Sequence, residues 1–176
     1  MSITYKQGDL FAHVADRVES KKSANENVQI LIPHVCNDRG AWGAGFVIPL
    51  AKAYPKARES YLNLFELNIG KLGYTDLVRV SDEIQVVNMI AQHGTGGVRP
   101  LRYNHLAKCL AEVAVYANNE KEIHAPMFGS GLAGGDWNFI ESLIIDTWDG
   151  LDVTIYYLPN SIPNNWLPPS RQPTSN

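Results

Sequence analysis

The residues in this chain best placed to do chemistry are glycines. Gly129-Ser130-Gly131-Leu132-Ala133-Gly134-Gly135-Asp136 follows an apolar run, Ile123 to Met127, and precedes an amphipathic run, Trp137 to Trp148. That context reads as strand, loop, helix. Backbone N–H groups in such a loop can converge on a phosphate, and the helix N-terminus behind them adds a favourable dipole. A second glycine turn, Trp42-Gly43-Ala44-Gly45-Phe46, follows another apolar strand, Val28 to Val35. Two such turns on one small domain predict a clamp around a pyrophosphate. Ser130 lies inside the late loop, where its hydroxyl or N–H would donate to phosphate. The local order Gly-Ser-Gly-Leu-Ala lacks the Gly-x-Ser-x-Gly spacing of a nucleophile elbow.

Gly129, Gly131 and Gly134 satisfy the G-x-G-x-x-G pattern. A Rossmann dinucleotide fold places that loop after its first strand, with an acidic residue about 20 residues later. Here only one strand remains after the loop, so a Rossmann oxidoreductase is disfavoured. No Lys-Ser/Thr pair follows the glycines, so this is no Walker loop. The bland reading of either loop is a tight strand–helix turn.

Other polar residues cluster at strand ends, where open α/β sheets bind ligands. Asn37, Asp38 and Arg39 stand between the early strand and Gly43. Asn37 reads as a partner for a ribose hydroxyl or as the first residue of an Asx-turn. His34, near the carboxyl end of the same strand, suits a general acid or base near neutral pH. A core histidine hydrogen-bonded to backbone fits its position equally well. His93 follows another strand end and could reach the same crevice. Asp9, after Gly8, can accept a hydrogen bond from an amino group such as adenine N6, cap the next helix, or do both. Asp136 reads as a helix cap. Cys36 reads as a small buried hydrophobe, His124 as structural, and His13 and His105 as surface residues. No histidine pair has zinc spacing and there is no Cys-x-x-Cys, so no metal is expected.

The elements that must position these groups follow from periodicity. Thr4 to Lys6, Val28 to Val35, Gly70 to Val80, Glu83 to Ala91, Glu122 to Met127 and Val153 to Leu158 read as strands. Leu10 to Val18, Gly45 to Tyr54, Lys56 to Glu66, Asn104 to Asn118 and Trp137 to Trp148 read as helices, with Pro55 opening the third. Leu106, Leu110, Val113 and Val115 are available for the core. Glu19 to Glu26 is polar and reads as a loop, and Gln92 to Tyr103 as a glycine-rich loop. After Pro159 come four more prolines, an irregular tail that could pack through Trp166 and Leu167. Strands alternating with helices predict a three-layer α/β domain.

Composition fits one domain: 176 residues, 45% hydrophobic and 19% charged. A net charge of −3 predicts no broad cationic field, which argues against non-specific nucleic-acid binding. No apolar run is long enough for a bilayer, so no membrane partner is expected. The opening Met1-Ser2-Ile3-Thr4-Tyr5-Lys6 lacks the apolar core of a signal peptide. With two cysteines and no disulfide framework, a reducing cytoplasm is the simplest compartment.

In combination these segments resemble the macrodomain family, the ADP-ribose-binding α/β module. Gln7-Gly8-Asp9-Leu10 resembles the family's opening motif, His34 to Gly45 its first phosphate and distal-ribose loop, Gly129 to Trp137 its second loop, and Tyr156-Tyr157-Leu158 the end of its last strand. Four modest motifs in the right order form a specific pattern over Thr4 to Leu158. The pattern His34-x-Cys36-Asn37-x-x-Gly40-x-Trp42-Gly43-x-Gly45, then Tyr54-Pro55-Lys56-Ala57, is most similar to the ADP-ribose-1''-phosphate phosphatase branch. The resemblance implies an α/β/α fold with a central mixed, mostly parallel sheet, a module over 1–158 and a tail over 159–176. It implies that Asp9, Leu10, Tyr157 and Leu158 meet the adenine end. Asn37, Gly43, Ala44, Gly45 and Phe46 would hold the distal ribose and diphosphate, facing Phe128, Gly129, Ser130, Gly131, Leu132 and Ala133. His34 takes the place of the strand-end histidine implicated in phosphate removal, and His93 could assist. The implied ligands are ADP-ribose, its 1''-phosphate or ADP-ribosylated macromolecules, bound by a monomer without a cofactor. A related ADP-ribosyl-glutamate hydrolase branch uses a lysine and an aspartate where this chain has Gln92-His93 and Ala133, so that mechanism is not implied.

Overall fold

The computed structural model describes residues 3–97 and 100–174. Met1 and Ser2 of the N-terminal stretch, Val98 and Arg99 of the glycine-rich loop, and Ser175 and Asn176 of the tail lie outside them.

Six strands form one sheet: β1 (Thr4–Gln7), β2 (Ile30–Asn37), β3 (Thr75–Arg79), β4 (Ile84–Gln92), β5 (Glu122–Pro126) and β6 (Val153–Tyr157). Their spatial order is β1-β6-β5-β2-β4-β3. Every neighbouring pair is parallel except β3 with β4. The mixed, mostly parallel sheet expected from the sequence is therefore present. A parallel sheet is covered on both faces, which explains why its central strands are apolar runs rather than alternating ones.

The two faces still sort by residue parity. Leu31, Val87, Met89 and Ala91 pack with helices α4 (Tyr103–Ala117) and α5 (Trp137–Thr147) in one core. Ile30, Ile32, Val86 and Ile90 pack with α1 (Leu10–Ser23), α2 (Val47–Ala53) and α3 (Pro55–Glu66) in the other. Successive side chains of a strand point to opposite faces, so one strand feeds two separate cores.

The sheet opens where the site will stand. β2 pairs with β5 only at Ile30↔Glu122 and Leu31↔Ile123, whereas it stays paired with β4 as far as Asn37. Pro33 lies just past the last β5 partner and has no N–H to donate, as suits a strand leaving its neighbour. A bulge between Cys36 and Asn37 then re-aims the end of β2.

Several boundaries differ from the sequence expectations. Helix α1 continues to Ser23, through residues read as a polar loop. Their polarity marks a solvated helix face, and Lys21 and Lys22 in the last turn suit its negative end. Strand β3 begins at Thr75 rather than Gly70 because Gly73, at φ +87°, turns the chain. Val115 is 73% exposed: it falls outside the stripe of Leu106, Cys109, Leu110, Val113 and Ala117 that faces the sheet. In the tail, Trp166 is buried against Tyr5 and Tyr157, but Leu167 is half exposed, and a short 3-10 turn spans Pro169–Arg171.

Candidate functional site

A cavity of about 540 Å³ occupies the gap between the carboxyl ends of β2 and β5. Its walls are the loop 41–47, the loop 126–133, Gln92 at the end of β4 and Thr95 beyond it, with His34 to Asn37 of β2 between them. No Lys, Arg, Asp or Glu lies among the described residues that line it.

The early loop is tied to β2 by Asn37. Its Oδ1 accepts from the N–H groups of Arg39 and Ala41 and from the Tyr61 hydroxyl, and its Nδ2 donates to Ala41 O. The Asx-turn reading of Asn37 is thus realised, and one amide hydrogen remains for a ligand. Tyr61 also donates to Asn37 O at 2.7 Å, so a buried tyrosine on α3 braces the loop from below. Trp42 Nε1 donates to Val47 O, closing the loop onto α2. Gly45 sits at φ +78°, a conformation glycine adopts without strain.

The late loop closes through glycine contacts. Gly134 N donates to Gly131 O, and Gly135 N to Gly129 O at 2.7 Å. Asp136 caps α5 by accepting from Asn138 N. The Ser130 hydroxyl is spent inside the loop on Met127 O at 2.6 Å, and Ser130 does not line the cavity. That leaves only its N–H as a possible phosphate donor. Leu132, 72% exposed, reaches across to Gly45, where a Cβ would come within 3.3 Å of its Cδ1. The two loops therefore meet over the cavity.

The N–H groups of Gly43, Ala44, Gly45 and Phe46, and of Gly131, Leu132 and Ala133, find no acceptor among the described residues. All seven residues line the cavity. Five of the seven residues are exposed, so these N–H groups are open to water or to a ligand. Two such rows beside a cavity that no charged side chain among the described residues lines make a site where backbone dipoles can hold a polyanion.

His34 is 2% exposed, with Trp42 and Phe46 against its ring. Its Nε2 lies 2.6 Å from Asn88 Oδ1. Burial pushes its pKa down to about 4, against a smaller opposing effect of the Asn88 bond. The ring is therefore neutral at pH 7: it can accept a proton, whereas acid catalysis from a standing imidazolium is disfavoured. Burial raises the Cys36 thiol well above its ordinary range, so Cys36 is the inert hydrophobe expected.

His93 lines no part of the cavity. Its Nδ1 pairs with Asp38 Oδ2 at 2.8 Å, and Asp38 Oδ1 accepts from Gly94 N. Burial works to raise the Asp38 pKa, but the Gly94 and His93 bonds outweigh it and hold the carboxyl low. Asp9 accepts from Phe11 N as the cap of α1. Gly8 N donates to Tyr157 O, which places Asp9 beside Tyr157 and Leu158, two strands from the cavity along the same sheet edge. The Leu10 side chain is in the core, so only its backbone is available to a ligand. His124 is structural, bridging Tyr156 and Glu122; His13 and His105 are half-buried rather than fully at the surface.

Sequence reasoning missed Asn88, Asp76, Ser60 and Tyr61. Asn88 left a signal, being the one polar residue in the run Val86-Val87-Asn88-Met89-Ile90. The other three carry none, because they sit on elements remote from the loops. Among the described residues, no group of three His, Cys, Asp or Glu side chains is placed to hold a metal ion. No helix among them is long and apolar enough to cross a membrane.

No model of a known protein family matches the chain. Among curated proteins it is similar to an ADP-ribose 1''-phosphate phosphatase of Lodderomyces elongisporus, 28% identical over 90% of this chain and 99% of that one. Among solved structures it is similar to a Bacteroides thetaiotaomicron protein of unknown function, 33% identical with a TM-score of 0.76 over 89% and 98% of the two chains. A macrodomain protein from Streptomyces coelicolor is 32% identical with a TM-score of 0.70, over 89% of this chain and 99% of that one.

Proposed function

The chain belongs to the macrodomain family, and we propose that its cavity binds ADP-ribose and removes the 1''-phosphate from ADP-ribose-1''-phosphate. The observation that carries this reading is the pairing of two unpartnered N–H rows with a neutral histidine beside them, in one cavity. A volume of about 540 Å³ lies within the usual range for a small-molecule pocket. The name of the 28% identical curated relative supports the same substrate.

In this reading the diphosphate lies between Gly43–Phe46 and Gly131–Ala133. The adenine extends along the sheet edge toward Asp9, Tyr157 and Leu158. The distal ribose turns down toward Asn37, presenting its 1'' position to His34. Donors fixed before the ligand arrives stabilise developing charge on phosphate oxygens without reorganising. Water attacks phosphorus while His34 accepts its proton as general base; the P–O1'' bond breaks and the departing 1'' oxygen takes a proton from solvent, leaving ADP-ribose and phosphate. The Asp38–His93 pair stands outside the cavity, where it ties the early loop to the Gly94 turn. Residues 1–158 form the ADP-ribose module in this scheme, and the tail is sealed onto it through Trp166.

The test is phosphate release from ADP-ribose-1''-phosphate beside calorimetry with ADP-ribose. Binding with turnover that His34→Ala abolishes, at preserved affinity, is expected. Binding without turnover in the wild type would make the protein a reader of ADP-ribose or of ADP-ribosylated macromolecules. Full turnover by His34→Ala would remove His34 from the mechanism.

A further inference from the structure

Behind His34 lies a chain of buried polar groups that the loops and the diphosphate do not require. Asn88 on β4 is fully buried and Asp76 on β3 is 9% exposed. Asn88 Nδ2 donates to Ala57 O and to Asp76 Oδ2, each at 3.0 Å. Ser60 Oγ donates to both oxygens of Asp76, at 3.1 and 2.9 Å. The far end of the Asn88 amide meets His34 Nε2.

These partners admit a single arrangement of hydrogens. The Ala57 carbonyl and the Asp76 carboxylate are acceptors, so the amide nitrogen of Asn88 must face them. Its oxygen then faces His34, and an oxygen has no hydrogen to give. His34 Nε2 must therefore carry the hydrogen, and Nδ1 must carry the lone pair. Among the described residues the only protein donor near Nδ1 is Cys36 Sγ, a weak one at 3.9 Å.

Resting on the phosphatase reading, we infer that Asn88 and Asp76 are positioning residues: they lock His34 as the Nε2–H tautomer and keep Nδ1 bare for the reacting end of the ligand. Neither residue touches the ligand. Asn88 acts on His34 directly, and Asp76, steadied by Ser60, prevents the Asn88 amide from turning over. When Nδ1 takes a proton from the water that bonds to phosphorus as the P–O1'' bond breaks, Nε2 keeps its own, and the Asn88 carbonyl faces the resulting cation until the proton passes to solvent. A buried polar chain of this kind is costly unless its members are paired, and here Asn88, Asp76 and Ser60 each are.

The experiment uses the full chain labelled with 15N-histidine. Two-bond 1H–15N correlations report which ring nitrogen of His34 carries hydrogen, with His34→Ala supplying the assignment. The wild type is expected to show hydrogen on Nε2 and a bare Nδ1, whose resonance moves when ADP-ribose is added. Asn88→Ala is expected to give mixed tautomers and a kcat on ADP-ribose-1''-phosphate lower by on the order of tenfold or more, the loss of an oriented base. The ADP-ribose Kd should change by less than about threefold, because the loops that hold the diphosphate are untouched. Should Asn88→Ala fail to fold, the near-isosteric Asp76→Asn replaces it, with a partial shift toward the other tautomer and a smaller fall in kcat. Hydrogen on Nδ1 in the wild type, or wild-type tautomer and kcat in the folded variants, overturns the inference. A wild type that binds ADP-ribose but releases no phosphate overturns the phosphatase reading alone; the tautomer and the Nδ1 response then decide this one.

Discussion

Replacing Gly135 by alanine is the sharpest test of how the late loop is built. The φ of Gly135 lies outside the left-handed region, so the constraint is space rather than backbone strain. A Cβ there would lie 2.4 Å from Leu101 Cδ2, 2.5 Å from Gly129 O and 3.1 Å from Ile140 Cδ1. Leu101 is buried, and the carbonyl of Gly129 is the acceptor that Gly135 N needs to close the loop. Overpacking of this kind costs about 1–3 kcal/mol. Losing the closing bond adds roughly 1 kcal/mol, for a total near 2–4 kcal/mol. With an m-value of about 2 kcal/mol/M, the urea midpoint falls by on the order of 1–2 M. The same shift moves the Gly131–Ala133 donors. A hydrogen bond to a charged phosphate contributes about 1.5–3 kcal/mol, so losing one weakens ADP-ribose about 10- to 100-fold. Gly131→Ala is the control for stability. No atom lies within 4 Å of its would-be Cβ and its φ is not left-handed, so its urea midpoint should match wild type. If Gly135→Ala matches the wild type in both urea midpoint and Kd, the argument from loop closure is wrong.

Three further outcomes follow from the same coordinates. The native His34 pKa, pushed to about 4 from an ordinary 6.5, contributes stability that is fully present above pH 6.5 and lost as pH falls toward 4. That contribution is roughly 3 kcal/mol, and burial of His124 acts in the same direction. Urea midpoints at pH 7.5 and 4.5 should therefore fall less in His34→Gln than in wild type; equal falls would refute it. Leu132→Ala should leave the urea midpoint within experimental scatter, because the side chain is mostly solvated. Stopped-flow release of ADP-ribose should nonetheless quicken about three- to tenfold as the bridge to Gly45 is lost. Trp166→Ala should lower stability by roughly 3 kcal/mol in a denaturant titration while Leu167→Ala changes it little, which checks that the tail is part of the core.

Much of this architecture was legible in the sequence because it is written in local signals. Apolar runs ended by glycine or proline gave the strands, and Asp9 and Asp136 gave two helix starts that the structure keeps. The glycine loops and His34 were readable because they adjoin strand ends, and the order of strand ends fixes what can meet there. Residues 19–23 misled because solvated helix and loop share a composition. Val115 misled because apolar character says nothing of which face a helix turns inward. Ser130 and His93 carried suitable chemistry, but their partners, Met127 O and Asp38, emerge only in three dimensions. Asp76 and Ser60 act through Asn88 from a different strand and a different helix, a connection that spacing along one chain does not encode.

The early parting of β2 from β5 has a consequence for how the two halves of the molecule hold together. Past Leu31 no ladder joins them, and the loop on each side is anchored in a different core. Trp42 and Phe46 belong with α1, α2 and α3, whereas Phe128 and Ala133 belong with α4 and α5. An anion seated between the two N–H rows accepts hydrogen bonds from both sides, as the missing length of strand would have done. A ligand held this way links the two cores across the seam where the β2–β5 ladder stops.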